Sequence, residues 1–436
     1  MSNSSLSFEE RLAHHPELRE RFEQILKIAE AEGETLKRAD AVELQVIESV
    51  RQLGHDVLTS WARQRIDHEA KHCEANPALR PNGKKLYWHS TYGIIEVEEP
   101  RYREGNRTYR PFSAIAGVYC RGVSLPLQRA VTDFGADHPF RKVSGKLEEH
   151  YGISLPHETA RGITEGHGRA LLENTVLETK WPSIMGEECV LVETDGGMVP
   201  IVQRNPASTD KRKGKTLEWK ELKLCIARGL GCVTPVYGGT FSGDVSEAGK
   251  HLFHCACQAG LGKSTEVHAV GDGAKWIANQ VEEQFGSQGS YLIDFYHLSE
   301  YLGEAAESCS PEPEQWLKAQ QAALRHNLSV KVLETLLPYL ESPELPDAKA
   351  PVRKAYRYLR NRSDQVDYRQ AIEKERPIGS GEVESAHRYV VQERLKKAGA
   401  WWAPENVDPM LALRITRING HWDAYWSQIL TGQAAA

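Results

Sequence analysis

Three carboxylates in this chain stand where a backbone could present them to a ligand. Asp195 follows the apolar run CVLVET and precedes Gly196 and Gly197, Asp272 follows VHAV between Gly271 and Gly273, and Glu384 lies in GSGEVESAH. An aspartate beside glycine commonly serves as a turn residue or helix N-cap. Glycine also lets the chain turn tightly and a ligand come close. Two aspartates at equivalent strand ends of one domain point to a shared hard-metal site, because Mg2+, or Mn2+ in its place, is held by a few carboxylates together with substrate phosphate oxygens. The chemistry such a site supports is in-line attack on a phosphodiester.

The third ligand must come from elsewhere in the fold. A helix drawn from Gly381 at 100° per residue gathers Val383, Ala386, Val390, Val391 and Ala398 on one face. Glu384 then lies on the flank shared with Val391 and Leu395, aimed at the strand ends, while Glu382 projects roughly opposite, among Tyr389, Glu393 and Lys396. The plainer role for Glu384 is a surface pair with Arg388 four residues on. Glu382 reads as a first-turn acid, favourable at a helix N-terminus.

The elements that must carry these residues form an α/β domain. CVLVETDGGMVPIV, LEWKELKLCIARGL, CVTPVYGGTF, TEVHAVGDGAKW and GSYLIDFYHLSEYL read as five strands, the last two entering helices. The domain is expected over 181–303 and 362–425, interrupted by a charged, proline-broken helical insertion at 304–361. Three regions precede it. Residues 1–76 are helical, with Val46, Val50, Leu53, Val57 and Trp61 forming an apolar stripe that needs a partner, either the helix around Phe22 or another subunit. Residues 77–120 read as a small antiparallel β-unit turning at Gly93 and at EGN. There Arg101, Arg103, Arg107 and Arg110 alternate with Tyr102, Tyr109 and Phe112, the mixture of a phosphate-contacting surface or of an Arg-decorated hairpin. Residues 121–180 have a loose helix-turn-helix outline around YGISLP.

At 436 residues, 40% hydrophobic and 26% charged, the chain has the composition of a multidomain globular protein. It has no apolar run of membrane-spanning length and no leader pattern, so a cytosolic location is expected. A formal charge of −6 argues against uniform coating of nucleic acid, yet residues 1–75 hold 10 Lys+Arg against 15 Asp+Glu while 349–420 hold 15 against 9. Either only part of the surface meets a polyanion, or the charges cluster by chance on solvated faces. The eight cysteines lack paired CxxC spacing. HLFHCAC, with His251, His254, Cys255 and Cys257, fits an amphipathic helix end as well as a metal site.

The order Asp195, Asp272, Glu384 on strand, strand and helix resembles the DDE triad of RNase H-like transposases. ERPIGSGEVESAHRYVVQERLKKAGAWW is similar to the motif GSGxxES...QRxKxxGxxW of ISKra-type insertion-sequence transposases, and DFYH, with Asp294 and His297, resembles the D(2)H signature of that group. The likeness spans roughly residues 80 to 425. It implies a transposase in which Asp195, Asp272 and Glu384 bind two Mg2+ ions, cleaving and transferring strands at the terminal inverted repeats of a mobile element and into target DNA. It implies at least a homodimer on DNA, in the bacterial cytoplasm and nucleoid. His297 would contact the scissile phosphate or bond near the triad, or else pack in the core. Arg388, Arg394, Lys396 and Lys397 would meet phosphates. Trp401 or Trp402 would stack on an unpaired base or close the helix against the sheet. The CxxC segment of such relatives is absent near YREGNRTYRPFSAIAG, so no zinc element is carried over. Two other readings stand: a sugar-kinase or actin-like ATPase, whose Asp-x-Gly phosphate loops TDGG and GDGA resemble, and a non-catalytic DNA-binding descendant of a transposase.

Overall fold

A computed structural model describes residues 6–30, 38–74, 80–104, 107–205 and 214–432. The chain divides into two compact units, Met1–Thr164 and Glu165–Ala436.

In the first unit the helices α1 (Phe8–Ala13), α2 (Pro16–Ala29) and α3 (Ala39–Glu74) are followed by the strands β1 (Arg80–Ser90), β2 (Gly93–Glu104) and β3 (Arg107–Tyr109). The three strands form one antiparallel sheet, β1-β2-β3, with Gly93 at φ +105° closing the first hairpin. The two prolines and the glycine of ANPALRPNG lead one to expect a helix break over 75–83; residues 75–79, like Gly105 and Asn106 of the EGN turn, lie outside the described residues, and 80–83 already belong to β1. Alternation in β2 sends Ile95 and Val97 inward, where they join Ala62 and Ile66 of α3 and Leu86, Trp88 and Phe112 in one apolar cluster. α2 lies beside α3 through Arg21 to Asp56 at 3.0 Å. The predicted stripe on α3 is nonetheless left half open, with Val50, Val57 and Trp61 each 45–48% exposed. Beyond α4 (Pro111–Ala116), the helices α5 (Leu125–Asp137), α6 (Phe140–Tyr151) and α7 (His157–Asn174) close around Leu127, Val131, Val143, Leu147 and Ala160. Gly152 at φ +65° ends α6, and α7 runs on into the second unit.

The second unit is mixed α/β. Its strands are β4 (Cys189–Arg204), β5 (Lys215–Gly229), β6 (Val236–Thr240), β7 (Glu266–Gly271) and β8 (Gly289–Ile293), in sheet order β6-β5-β4-β7-β8. β4, β5 and β6 are an antiparallel meander, whereas β7 and β8 run parallel to β4. Parallel neighbours need a crossover. Helices α8 (Val245–Gln258) and α9 (Lys275–Phe285) supply it, packing Leu252, Phe253, Ala256 and Val281 against Val190, Val192, Cys225 and Ala227. After β8 a helical body of α10 (Phe295–Cys309), α11 (Pro313–Arg325), α12 (Ser329–Leu336), α13 (Pro351–Arg360) and α14 (Tyr368–Glu373) encloses its own core of Phe295, Leu298, Leu302, Leu324, Leu359 and Tyr368. The helical body starts nine residues before the expected insertion boundary, because the apolar face of α10 belongs to its core. The chain returns through α15 (Gly381–Ala386), a π-helical turn at His387–Gln392, α16 (Glu393–Leu395), α17 (Val407–Ile418) and α18 (Trp422–Leu430). Among the described residues no helix is long and apolar enough to cross a membrane.

Candidate active site at the ends of three parallel strands

Strand register builds the site. Glu193 on β4 pairs with Val270 on β7, which pairs with Leu292 on β8. Two residues further along each chain stand Asp195, Asp272 and Asp294. Because side chains in a strand repeat every second residue, this register lines three carboxylates along one edge of the sheet.

Each aspartate is held differently. Asp195 is expected at a strand end, but β4 continues through Gly196 and Gly197 to Arg204. What ends there is the pairing with β7, whose last partner on β4 is Glu193. The glycines make room instead of turning the chain: a Cβ on Gly196 would meet the Glu221 carboxylate at 2.3 Å, and one on Gly197 would meet the His387 ring at 2.6 Å. Asp272 is exposed, in a loop fixed from several sides. Its carboxylate accepts from Ala274 N at 2.8 Å, its carbonyl accepts from the Tyr358 hydroxyl at 2.7 Å, and the Gly273 carbonyl accepts from Arg362 Nε at 2.7 Å. Asp294 is buried and fully engaged. It caps α10 through Tyr296 N and His297 N at 2.6 and 2.9 Å and accepts from Ser380 N and Oγ at 2.6 and 2.7 Å.

The helix α15 is stitched along the same edge. Val383 N donates to Glu193 at 2.8 Å, and Arg228 of β5 grips Glu382 at 2.5 to 2.9 Å. The outward projection expected for Glu382 is thus corrected: the acid turns toward the sheet and closes a bidentate ion pair. Glu384 is exposed. It falls on one helix stripe between Ser380, bonded to Asp294, and His387, whose ring reaches the Asp195 carbonyl at 3.3 Å and its carboxylate at 3.5 Å. Val383, Ala386, Val390 and Val391 are buried as the helical phase required, but Ala398 is exposed. The π turn inserts a residue into the helical repeat and the helix stops at Leu395, so the regular wheel fails beyond it.

Electrostatics tie the cluster together. Burial raises the pKa of Asp195, with the charges of Asp272 and Glu221 adding to it, while Gly196 N–H and His297 oppose. Burial likewise pushes Glu193 up to about 8 against the Val383 N–H, so this acid carries a proton at neutral pH. His387 is lowered, chiefly by burial, and is neutral. Its carbonyl partner can only accept, so Nε2 bears the proton. His297 lies 38% exposed, edge-on to the Tyr301 ring at 5.3 Å. Asp195 and Asp272 both offer oxygen donors, and the charge of Asp272 is felt at Asp195, a chemistry that suits a hard cation such as Mg2+. Among the described residues no three His, Cys, Asp or Glu side chains are gathered into a metal-holding group, in HLFHCAC or elsewhere.

The expected DNA contacts are distributed unevenly. Arg388 is exposed and Lys396 and Lys397 are half-exposed, whereas Arg394 is 2% exposed and lies over the Trp402 ring at 4.6 Å, an interior position. Trp401 is 40% exposed and Trp402 is buried. Arg103 is exposed and Arg101 half-exposed, Arg110 sits 4.0 Å from the buried Glu99, and the side chain of Arg107 lies outside the described residues. Reading the sequence missed His387, Glu193 and Arg228. The first stands three residues after Glu384, and the second interrupts an otherwise apolar strand, a visible signal of a constrained carboxylate.

Residues 260–426 match an uncharacterised protein family, UPF0236. That segment includes Asp272, Asp294, His297 and Glu384. Over 350 residues the chain is 25% identical to the UPF0236 protein in the vanSb 3' region of Streptococcus gallolyticus, covering 77% of this chain and 73% of the relative.

Proposed function

We propose that the protein is a DDE transposase with an RNase H-like catalytic domain, cleaving and transferring DNA strands at the ends of an insertion sequence. The observation that carries this reading is the register that sets Asp195, just past the end of the pairing of β4 with β7, beside Asp272 at the end of β7, with the charge of Asp272 felt at Asp195 and Glu384 on the neighbouring helix stripe. An antiparallel meander followed by two parallel strands, then a helical body between the second aspartate and the glutamate, supports the fold assignment.

Asp195 and Asp272 would hold the cation and Glu384 would complete the set, and Mg2+ so bound would supply activation of a water or 3′-hydroxyl nucleophile and charge for the leaving oxygen. His387 fixes the Asp195 backbone by donating Nε2–H to its carbonyl. Glu193, protonated, accepts from Val383 N and sets the depth at which α15 lies. His297, on the exposed side, hydrogen-bonds a phosphate oxygen. Arg388, Lys396 and Lys397 neutralise backbone phosphates. The protein works as a homodimer, joined through the open stripe of α3.

The experiment is to take the DNA flanking this gene, locate inverted repeats close to both ends, and incubate it with the purified protein in Mg2+. Nicks at the repeat ends are expected. Binding without nicking in either Mg2+ or Mn2+ would instead favour a non-catalytic DNA-binding protein.

A further inference from the structure

We propose that the cavity between β7, β8 and α14 is a second site, which binds free hydrogenphosphate through Arg376, Lys374 and His268. The proposal stands whether or not the protein cuts DNA. The cavity has a volume of about 250 Å3. His268 on β7 and Ser290 on β8 line it from directly opposite positions of the strand pair, with Leu292 further along β8. Ala371 of α14 and the chain that leaves that helix, through Lys374 and Arg376, form the other wall.

Arg376 is the residue that asks for a ligand. Its side chain is only 8% exposed, and one terminal nitrogen donates to the Glu266 carboxylate at 2.5 Å. Its Nε–H is buried and has no partner among the described residues. A bare cationic donor in the interior is costly, so an acceptor belongs beside it. Glu266 does not balance the charge alone. Lys374 Nζ reaches the same carboxylate at 2.9 Å, so two cations share one acid and a positive charge is left over at the cavity wall.

His268 narrows the choice of anion. It is 4% exposed, and its Nε2 lies 2.9 Å from the Pro377 carbonyl, which can only accept, so that nitrogen holds the ring proton. Burial first, then the charges of Arg376 and Lys374, lower its pKa against the Pro377 bond, which keeps the ring neutral and leaves Nδ1 an acceptor. A fitting ligand accepts at Arg376 and Lys374 and donates at His268. Hydrogenphosphate does both at neutral pH because it keeps an O–H beside its charged oxygens, whereas sulfate keeps none. Asp364 and Asp367 stand exposed at the rim, where they repel an extended polyanion such as a nucleic-acid backbone and leave room for one small group.

The test is calorimetric titration of the full chain with potassium phosphate and with potassium sulfate at equal ionic strength, in EDTA so that no divalent cation recruits the anion. Saturable phosphate binding is expected, at least about tenfold tighter than sulfate. Arg376→Gln should weaken phosphate binding about tenfold, and Lys374→Gln, at an exposed position where folding is not at stake, about threefold. Asp272→Asn should leave the phosphate affinity within about twofold, which separates this cavity from the proposed cation site. No saturable phosphate binding by the unsubstituted chain, equal affinity for phosphate and sulfate, or unchanged phosphate affinity in Lys374→Gln would overturn the site.

Discussion

Asp272 and Asp294 stand at the same register on neighbouring strands, yet their surroundings give them opposite tasks. Asp294 accepts four hydrogen bonds and is 4% exposed, so it is spent on joining the start of α10 to the start of α15. Removing it leaves N-terminal amides of α10 and the buried Ser380 without their acceptor. Asp294→Ala should therefore cost roughly 3 kcal/mol of stability in denaturant unfolding, a lost cap plus lost charged hydrogen bonds. Asp272→Ala, at an exposed carboxylate with one local backbone bond, should stay within about 1 kcal/mol. A larger loss for Asp272→Ala than for Asp294→Ala would invert the assignment of one to structure and the other to chemistry. Glu382 and Glu384 divide in the same way. The first is tied to Arg228 and the second is left exposed beside the cluster.

At the scale of elements, the return segment from Gly379 to Trp402 does two jobs that residue types alone do not separate. Its cations read in sequence as one phosphate-binding group, but the π turn at His387–Gln392 shifts the helical phase of the residues beyond it and sends Arg394 inward over Trp402. Lys396→Gln with Lys397→Gln should lower duplex affinity and reduce the slope of log affinity against log salt by about one for each charge, with little change in unfolding. Arg394→Gln should act the other way, lowering stability while leaving the salt slope nearly intact. If both variants shift the salt slope equally, Arg394 reaches DNA after all. The five strands and the two flanking aspartates were legible because buried β-branched runs bounded by glycine have one reading. The persistence of β4 past Gly196 was not, since a glycine pair signals a turn and a close approach alike, and only the ring of His387 tells which. The helical body was legible as helical but not in extent, because α10 is set by contacts with helices more distant in sequence.

For the whole molecule, the proposed site has few cations of its own, so on that reading DNA ends would be held through other surfaces and a second copy. The stripe on α3 is suited to self-association: Val46, Ile47, Val50, Val57 and Trp61 are 39–48% exposed along one side of a 36-residue helix. Val50→Glu combined with Val57→Glu places like charges in that stripe at positions exposed enough to keep the fold. Sedimentation should then report a monomer where the unsubstituted chain reports a dimer, and an unchanged mass would remove α3 from the interface. The most direct measurement is nicking of an end-containing duplex, in Mg2+ and in EDTA, by the unsubstituted protein and by Asp195→Asn, Asp272→Asn, Glu384→Gln and Glu382→Gln. Metal-dependent nicking that falls at least about a hundredfold in the first three and persists in Glu382→Gln is the expected result. Nicking by Asp272→Asn or Glu384→Gln at the unsubstituted rate would contradict the assignment of the site.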